Sequence, residues 1–261
     1  MALRAAATAA FVFMLLPIAM VAWLAFFKNE ILVFPPEGYT LGWFAGLWQH
    51  RQFFDGFVTS IQVALVATVG GLALGIPASL AIVRGRFPGR ETLNTLLLSP
   101  LIVPGVVIGT ALYVFFVEVE IATELPLTAS LPGLALAHIM ITIPWTVRLI
   151  TASLAGVNPA IEEAAMSLGA DRWTTLVKIT LPVIRSGVVA ATLFGFVISF
   201  SNLEMTLFLV GPGRTTLPIA ILQYLEWKLD PTIAAISLIQ ILIIAAAMIV
   251  TNRFVKLSQV L

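Results

Sequence analysis

Long apolar runs, separated by short polar segments, make up most of the chain. Each run approaches or exceeds the roughly 20 residues that an α-helix needs to cross a bilayer. The runs predict six membrane-spanning helices, at residues 5–27, 57–83, 93–117, 131–151, 187–210 and 233–251. The alternating ten-residue units of a membrane β-barrel are absent from the sequence. We therefore expect an all-α integral membrane protein of about six transmembrane helices, organised as one domain over residues 1–261.

Composition agrees with this prediction and excludes several other classes of protein. Hydrophobic residues make up 60% of the 261 residues and charged residues only 10%, whereas a soluble domain carries about 25% charged residues. So few charges could not cover a globular surface in water. The formal net charge of +1 gives no reason to expect a nucleic-acid partner. The sequence has no cysteine, which excludes disulfides, thiolate nucleophiles and cysteine-ligated metals.

Lysine and arginine are distributed unequally between the two sides that six spans would create. Basic residues concentrate in the cytoplasmic loops of membrane proteins. The side that would hold both termini carries Arg4, Arg84, Arg86, Arg90, Arg148, Arg172, Lys178, Arg185, Arg253 and Lys256. The opposite side carries only Lys28, Arg51, Arg214 and Lys228, together with most of the acidic residues. We therefore expect both termini in the cytoplasm.

The predicted cytoplasmic loop of residues 152–186 is long and carries its own helix signals. Asn158 and Pro159 are typical of a helix start, because Asn caps a helix and Pro fits its first turn. Gly169 is placed as a helix stop. Asp171 is suited to cap a second helix, which we expect to end before Pro182. The loop is thus predicted to form a helix, a glycine turn and a second helix.

The first of these helices has one apolar face with the spacing of an amphipathic helix. This face is formed by Ile161, Ala164, Ala165 and Leu168. Its two alanines would let another surface approach closely. The face could dock a protein partner, or it could pack on the protein's own membrane domain, and the residues alone favour neither. The neighbouring Glu162 is interpreted as an ordinary solvated acid.

The same loop resembles the EAA loop of inner-membrane permeases of ABC importers. The residues that carry the resemblance are Glu163, Ala164, Ala165, Gly169, Ile179, Leu181 and Pro182, each at the spacing of that pattern. The resemblance implies a type I permease-like fold and makes this loop a coupling helix that sits in a cleft of a separate ATP-binding subunit. It implies that Glu163 contacts that subunit, that Ala164 and Ala165 permit close approach, and that Gly169 makes the turn.

The resemblance also implies an anchoring role for Ile179, Leu181 and Pro182, which would hold the second helix on the membrane domain. It implies several partners: a second permease in a heterodimer, two ATP-binding subunits and an external solute-binding protein. The implied location is the bacterial inner membrane, crossed several times. The chain would then be a transport subunit and not an enzyme.

Motifs for catalysis by the chain itself are missing from the sequence. A phosphate-binding loop contains Gly-Lys followed by Ser or Thr, and the sequence has no Gly-Lys pair. His50 and His138 stand alone without metal-ligand spacing, and His138 is expected to pack within the membrane helices. We therefore expect no cofactor and no metal in this chain, with ATP and Mg²⁺ bound by the partner ATPase.

A polar cluster in the fifth predicted span is the candidate solute pathway. An acid inside a span is costly and is a functional candidate by default, and Glu204 is the clearest case. Ser199, Ser201 and Asn202 lie close to it in sequence. The cluster could face a translocation cavity. Alternatively, Glu204 could bond to a neighbouring helix or lie close enough to the external surface to be wet.

Prolines and glycines interrupt several of the predicted spans. Pro100, Pro104 and Pro144 could break the third and fourth spans and free carbonyl groups toward a cavity, or they could simply kink the helices. The spacings Gly71-x-x-x-Gly75 and Gly105-x-x-x-Gly109 would permit close contact between helices.

Within the permease family the chain looks like the polyamine-type subgroup, in particular the second permease subunit of spermidine/putrescine importers. The likeness is carried by FLVGPGRTTLPIAILQYL at residues 208–225 and by Asp230-Pro231. It implies a small, polyamine-like charged solute. Members of the subgroup often have an acidic pair where Ser201 and Asn202 stand, so amino-acid-like compounds, phosphonates and ferric iron stay open as cargo. An ion-coupled secondary transporter is the rival class, although it would need several paired intramembrane charges.

Overall fold

The computed structural model of the chain describes residues 1–31, 33–211 and 213–254. Its α-helices, in chain order, are α1 Ala2–Leu24, α2 Gly42–Gly46, α3 Arg51–Arg84, α4 Arg90–Leu98, α5 Gly105–Thr123, α6 Leu131–Ala155, α7 Ala160–Ser167, α8 Arg172–Thr175, α9 Leu181–Val183, α10 Arg185–Phe200, α11 Leu217–Trp227 and α12 Pro231–Phe254. Pro212 of the Gly-Pro-Gly segment and the basic residue Lys256 lie outside the described residues.

Helices long and apolar enough to cross a membrane confirm the predicted fold class. Among the residues that the structure describes, five single helices qualify, namely α1, α3, α5, α6 and α12. The helical segment Arg172–Val183 and α10 meet at a bend of 77°, and this pair counts as a sixth span if the two cross the membrane together. The described residues thus hold five or six spans, in agreement with the predicted number of about six.

The third predicted span, at 93–117, was wrong as a continuous helix. Helix α4 ends at Leu98, a 3₁₀ turn follows at Ser99–Leu101, and α5 begins only at Gly105. Proline has no backbone N–H and restrains the residue before it, so Pro100 and Pro104 stop the helical hydrogen-bond pattern here. Helix α6, by contrast, continues through Pro144, so the fourth span is not broken there.

The fifth predicted span, at 187–210, also ends early. Helix α10 stops at Phe200 and has 16 residues, about 24 Å of helix, which is less than the roughly 30 Å hydrocarbon core. A non-helical stretch follows at 201–205, and then a 3₁₀ turn at Thr206–Phe208. Glu204 therefore lies on irregular backbone and not on a helix face.

The chain divides into two compact units. The first comprises Met1–Val58 and Thr215–Ala246. In it, α11 buries Leu217, Ile219 and Ala220, while the most apolar window of α1 has no side chain buried by the rest of the chain. Asp230, just before α12, is buried and accepts hydrogen bonds from Thr232 N and Tyr224 Oη, each at 2.9 Å.

The second unit comprises Thr59–Arg214 and Ala247–Leu261. Its apolar core has two clusters, one around Leu134, Ile141 and Met205 and one around Ile150 and Ile184. Within this unit the predicted glycine contacts are confirmed. An added Cβ at Gly71 or Gly75 would collide with Thr142 or Thr146 of α6, so these glycines let α3 and α6 approach closely.

Candidate functional site

Hydrogen bonds at both ends of helix α7 fix where it begins and ends, as the sequence predicted. Asn158 Oδ1 accepts a hydrogen bond from Ala160 N at 3.0 Å. At the other end Gly169 has a φ of +92°, its N–H donates to Met166 O, and Ala170 N donates to Ala165 O. This pair of bonds is a Schellman motif, which needs a left-handed residue after the helix and so favours glycine.

The second helix of the loop begins as predicted but does not end as predicted. Asp171 Oδ1 accepts from Thr174 N at 2.7 Å and caps α8, and hydrogen bonds from Thr174 lower the pKa of this carboxyl group. A π-helical turn at Leu176–Thr180 then leads into α9, which contains Pro182. The expected stop before Pro182 was wrong. The wider π turn, in which Leu181 N donates to Leu176 O, changes the register of the backbone bonds ahead of the proline.

The residues of the EAA pattern lie in two different environments. Glu163, Ala164 and Pro182 are exposed, whereas Ala165, Ile179 and Leu181 are half-buried. Leu181 packs against the apolar cluster around Ile150 and Ile184. The rest of the chain thus partly covers Ile179 and Leu181, whereas Pro182 stays exposed.

One face of α7 is apolar and uncovered by the rest of the described chain. Ile161 is 47% exposed and Leu168 is 90% exposed, with the exposed Ala164 between them. Trp173, on α8, is 70% exposed. The sequence left open whether the α7 face packs on the protein itself. These exposures exclude that alternative for Ile161 and Leu168.

The interpretation of Glu162 as a solvated acid was wrong. Its side chain is only 14% exposed, and Glu162 Oε2 lies 3.0 Å from Arg84 Nε. Glu162 Oε1 accepts from Thr180 Oγ1 at 3.0 Å, and Arg84 Nη2 donates to Val157 O at 3.1 Å. No local pattern signals this site, because Arg84 and Glu162 are 78 residues apart in sequence.

The four residues of the candidate solute pathway separate into two pairs. Ser199 is buried and Asn202 is half-buried, with Asn202 Oδ1 accepting from Thr206 N and Thr206 Oγ1. Ser201 and Glu204 are exposed, although Ser201 Oγ also donates to Val197 O. Of the four, Ser201 and Glu204 are therefore the two exposed residues.

His138, on α6, contacts Ser199 directly and reaches Asn202 through Thr206. Its Nδ1 lies 2.8 Å from Ser199 Oγ and its Nε2 lies 3.0 Å from Thr206 Oγ1. The imidazole is 1% exposed, as expected for a histidine packed within the membrane helices. The sequence showed the histidine and the serine but gave no sign that they meet, because the pairing joins α6 to α10, 61 residues further along the chain.

The breaks in the third and fifth spans meet at Gly105. A Cβ added to Gly105 would lie 2.6 Å from Glu204 Oε2, and one added to Gly109 would lie 2.7 Å from Met205 O. Glu204 thus sits against the first turn of α5, where unpaired N–H groups favour a negative charge. Irregular backbone at membrane depth is tolerated only where it is buried in protein or lines a cavity.

Metal-binding side chains do not cluster in the described parts of the chain, where no group of three or more His, Asp or Glu residues could hold a metal ion. The helices of membrane-spanning length define a polytopic membrane protein. It carries a capped, exposed helix on a loop between two spans, and the breaks in two of its spans face each other.

The chain belongs to the family described as binding-protein-dependent transport system inner membrane component, whose model matches residues 71–259. It is thus a multi-pass inner-membrane permease subunit. One relative is the putrescine transport system permease protein PotI of Escherichia coli strain K12. It is 30% identical over 228 residues, which is 87% of this chain and 81% of PotI.

A second relative is the putative 2-aminoethylphosphonate transport system permease protein PhnV of Salmonella paratyphi A. It is 27% identical over 247 residues, 94% of this chain and 90% of PhnV. Among solved structures, a chain of the bacterial alginate ABC transporter in complex with an alginate pentasaccharide-bound periplasmic protein superposes with a TM-score of 0.75. That likeness covers 97% of this chain and 92% of the other at 18% identity, so it supports the fold alone.

Proposed function

We propose that the whole chain, 1–261, acts as one permease domain and that the exposed face of α7 is its docking surface for a separate ATPase. The observation that carries this proposal is an exposed apolar helix, α7, whose start is capped by Asn158 and whose end is set by Gly169. An uncovered apolar face on a rigidly capped helix is the kind of surface that marks a protein interface. Glu163, exposed beside it, would contact the same subunit.

The proposed assembly contains this permease, a second permease, two ATP-binding subunits and an external solute-binding protein. ATP and Mg²⁺ would bind on the ATPase, and this chain would hold neither. Both termini would lie in the cytoplasm, which places α7 on the same side as the ATPase. ATP binding would close the ATPase dimer, α7 would transmit that movement, and the spans would switch between inward-facing and outward-facing states.

The solute pathway would run along the surface that presents Ser201 and Glu204. An exposed carboxylate in a membrane segment is unfavourable against lipid, so a partner chain or a watery cavity must cover it. Ser199 and Asn202 would stabilise the segment behind this surface, because Ser199 Oγ and Asn202 Oδ1 form hydrogen bonds within the chain. A charged cavity wall suits a charged cargo.

The cargo that we propose is a small cationic organic solute of the polyamine type. It is supported by the exposed carboxylate of Glu204 and by the likeness to a putrescine permease. The likeness to a phosphonate permease keeps that class as the alternative, together with amino-acid-like compounds and ferric iron. An ion-coupled secondary transporter does not fit the family to which the chain belongs.

The experiment uses the complex reconstituted in lipid with its partner subunits. ATP hydrolysis is recorded while binding protein preloaded with putrescine, spermidine, an amino acid, 2-aminoethylphosphonate or ferric iron is added. Stimulation by a polyamine alone is the expected result, and Glu204→Gln should then weaken transport of that polyamine. Stimulation by another cargo would overturn the polyamine assignment. Unchanged ATPase docking after Leu168→Asp would overturn the proposed docking surface.

A further inference from the structure

We infer that Glu162 is a positioning residue that joins the docking helix α7 to the membrane-spanning helix α3, so that the two move together. This inference rests on the proposed docking role of α7. It concerns a residue that faces away from the docking surface, in contrast to Glu163. Glu162 and Glu163 follow each other on a helix, where successive side chains point about 100° apart.

The carboxylate of Glu162 contacts two other parts of the chain, and its partner Arg84 contacts a third. One oxygen is paired with Arg84, the last residue of α3, and the other accepts from Thr180 in the π-helical turn before α10. Arg84 in turn donates to Val157 O, which lies just after α6. A movement of α7 would therefore act directly on the end of α3 and on the turn before α10, and through Arg84 on the segment just after α6.

Burial makes these contacts stronger than ordinary surface contacts. The side chains of Arg84 and Glu162 are 23% and 14% exposed, and Thr180 is buried. An ion pair in such surroundings is poorly screened by salt, and loss of one partner leaves the other charge unpaired in a place where water solvates it badly. By comparison, the exposed pair between Arg90 and Glu91 should contribute little.

An open crevice lies beside the contact between Glu162 and Arg84. The crevice has a volume of about 510 Å³ and is lined by Leu80, Arg84, Met166 and Leu176 among others. Glu162 and Thr180 also line this crevice, so the ion pair with Arg84 and the bond from Thr180 join α7 to its neighbours at a place where the packing leaves open space.

The first test compares transport with ATP hydrolysis in the full reconstituted complex. Glu162→Gln should leave ATPase docking and stimulated hydrolysis close to wild type, because the outer face of α7 is unchanged. Solute transported per ATP hydrolysed should fall by about tenfold, within the usual range of coupling between sites. The matched control is Glu91→Gln, which removes the acid of an exposed pair and should leave this ratio unchanged.

A second test restores the connection by covalent means. The chain has no cysteine, so Arg84→Cys with Glu162→Cys introduces a unique pair of thiols. With partner subunits that lack accessible cysteines, a short bis-maleimide that bridges the two thiols should restore the ratio of transport to hydrolysis. The same variant capped with a mono-maleimide should stay uncoupled. This rescue distinguishes a mechanical connection from a general loss of stability.

The outcomes separate this inference from the proposed docking surface. An unchanged amount of solute transported per ATP hydrolysed in Glu162→Gln would overturn the positioning role. Loss of ATPase docking in that variant would also overturn it, because Glu162 would then be a docking contact. If Glu162→Gln fails to assemble, the double-cysteine variant provides the test instead. Equal ratios of transport to hydrolysis after bridging with the bis-maleimide and after capping with the mono-maleimide would overturn the inference. Failure of Leu168→Asp to disturb docking would instead overturn the docking surface itself.

Discussion

Glu204 packs directly on Gly105, with its Cβ only 2.9 Å from the place where a Cβ of residue 105 would be. The contact brings an exposed carboxylate to the first turn of a helix that begins inside a predicted span. It depends on two breaks in regular structure, one before α5 and one after α10. Because Glu204 Cβ and not only its carboxylate lies this close, rotation of the side chain alone would not make room for a larger residue at position 105.

Gly105→Ala should therefore displace Glu204 and impair transport. The added methyl group would overlap the acid side chain, and overpacking of this kind typically costs about 1–3 kcal/mol. We expect transport to fall by about tenfold, the equivalent of about 1.4 kcal/mol, with ATPase docking retained. Solute uptake into proteoliposomes measures the effect. The control is Gly46→Ala, where nothing lies within 4 Å of the added atom, and an equal loss there would contradict the prediction.

Gly169→Val should leave the chain inserted in the membrane but weaken its coupling to the ATPase. No atom lies within 4 Å of an added Cβ, so the effect comes from the φ of +92°, which costs an L-residue about 1–2 kcal/mol. Stimulated ATP hydrolysis and transport are measured together. Gly169→Asn, which tolerates this conformation better, should be milder. Gly156→Val, at an exposed right-handed glycine, is the control, and normal activity of Gly169→Val would contradict the expected role of the turn.

His138→Leu should lower the thermal stability of the protein. The substitution removes the ring nitrogens that bond to Ser199 and Thr206, and a buried hydroxyl left without its partner costs about 1–3 kcal/mol. His138→Gln keeps a donor and an acceptor and should lose less. Thermal unfolding in lipid or detergent measures both variants. Equal Tm values for wild type and His138→Leu would show that the bonds from α6 to Ser199 of α10 and to Thr206 contribute nothing to stability.

Asp230 should make the first unit sensitive to acid. Burial raises the pKa of Asp230, but hydrogen bonds from Thr232, Lys228 and Tyr224 together outweigh it, so the pKa lies below its usual value. A lowered carboxyl pKa adds stability that is present above the unfolded pKa of about 3.9 and is lost as the pH falls through the folded pKa.

Asp230→Asn should consequently lower Tm most at pH values above about 5, with a difference from wild type that shrinks as the pH drops below about 4. Asn can still cap α12 through Thr232 N, so the variant removes mainly the charge. Asp55→Asn is the matched control, because its pair with Arg51 is exposed and 3.6 Å long. A Tm difference for Asp230→Asn that does not depend on pH would contradict this assignment.

Local chemistry explains why the loop around α7 could be predicted closely. Asn158, Gly169 and Asp171 each act on backbone groups only two to five residues away, so their identity and spacing nearly determine the caps. The end of the second helix was predicted less well. A proline usually stops a helix, but here a π-helical turn accommodates Pro182, and nothing in the adjacent residues signals that turn.

The sequence by itself determined the fold class, the number of spans, the capped helix in the loop and the family pattern, because length, hydropathy and short-range hydrogen bonding act along the chain. Only the tertiary structure decided which polar groups meet. Glu162 pairs with Arg84, His138 bonds to Ser199, and Glu204 packs on Gly105. At least 61 residues of sequence separate the two members of each pair. Such pairs depend on how the helices pack and where they break, and burial then makes each pair costly to separate.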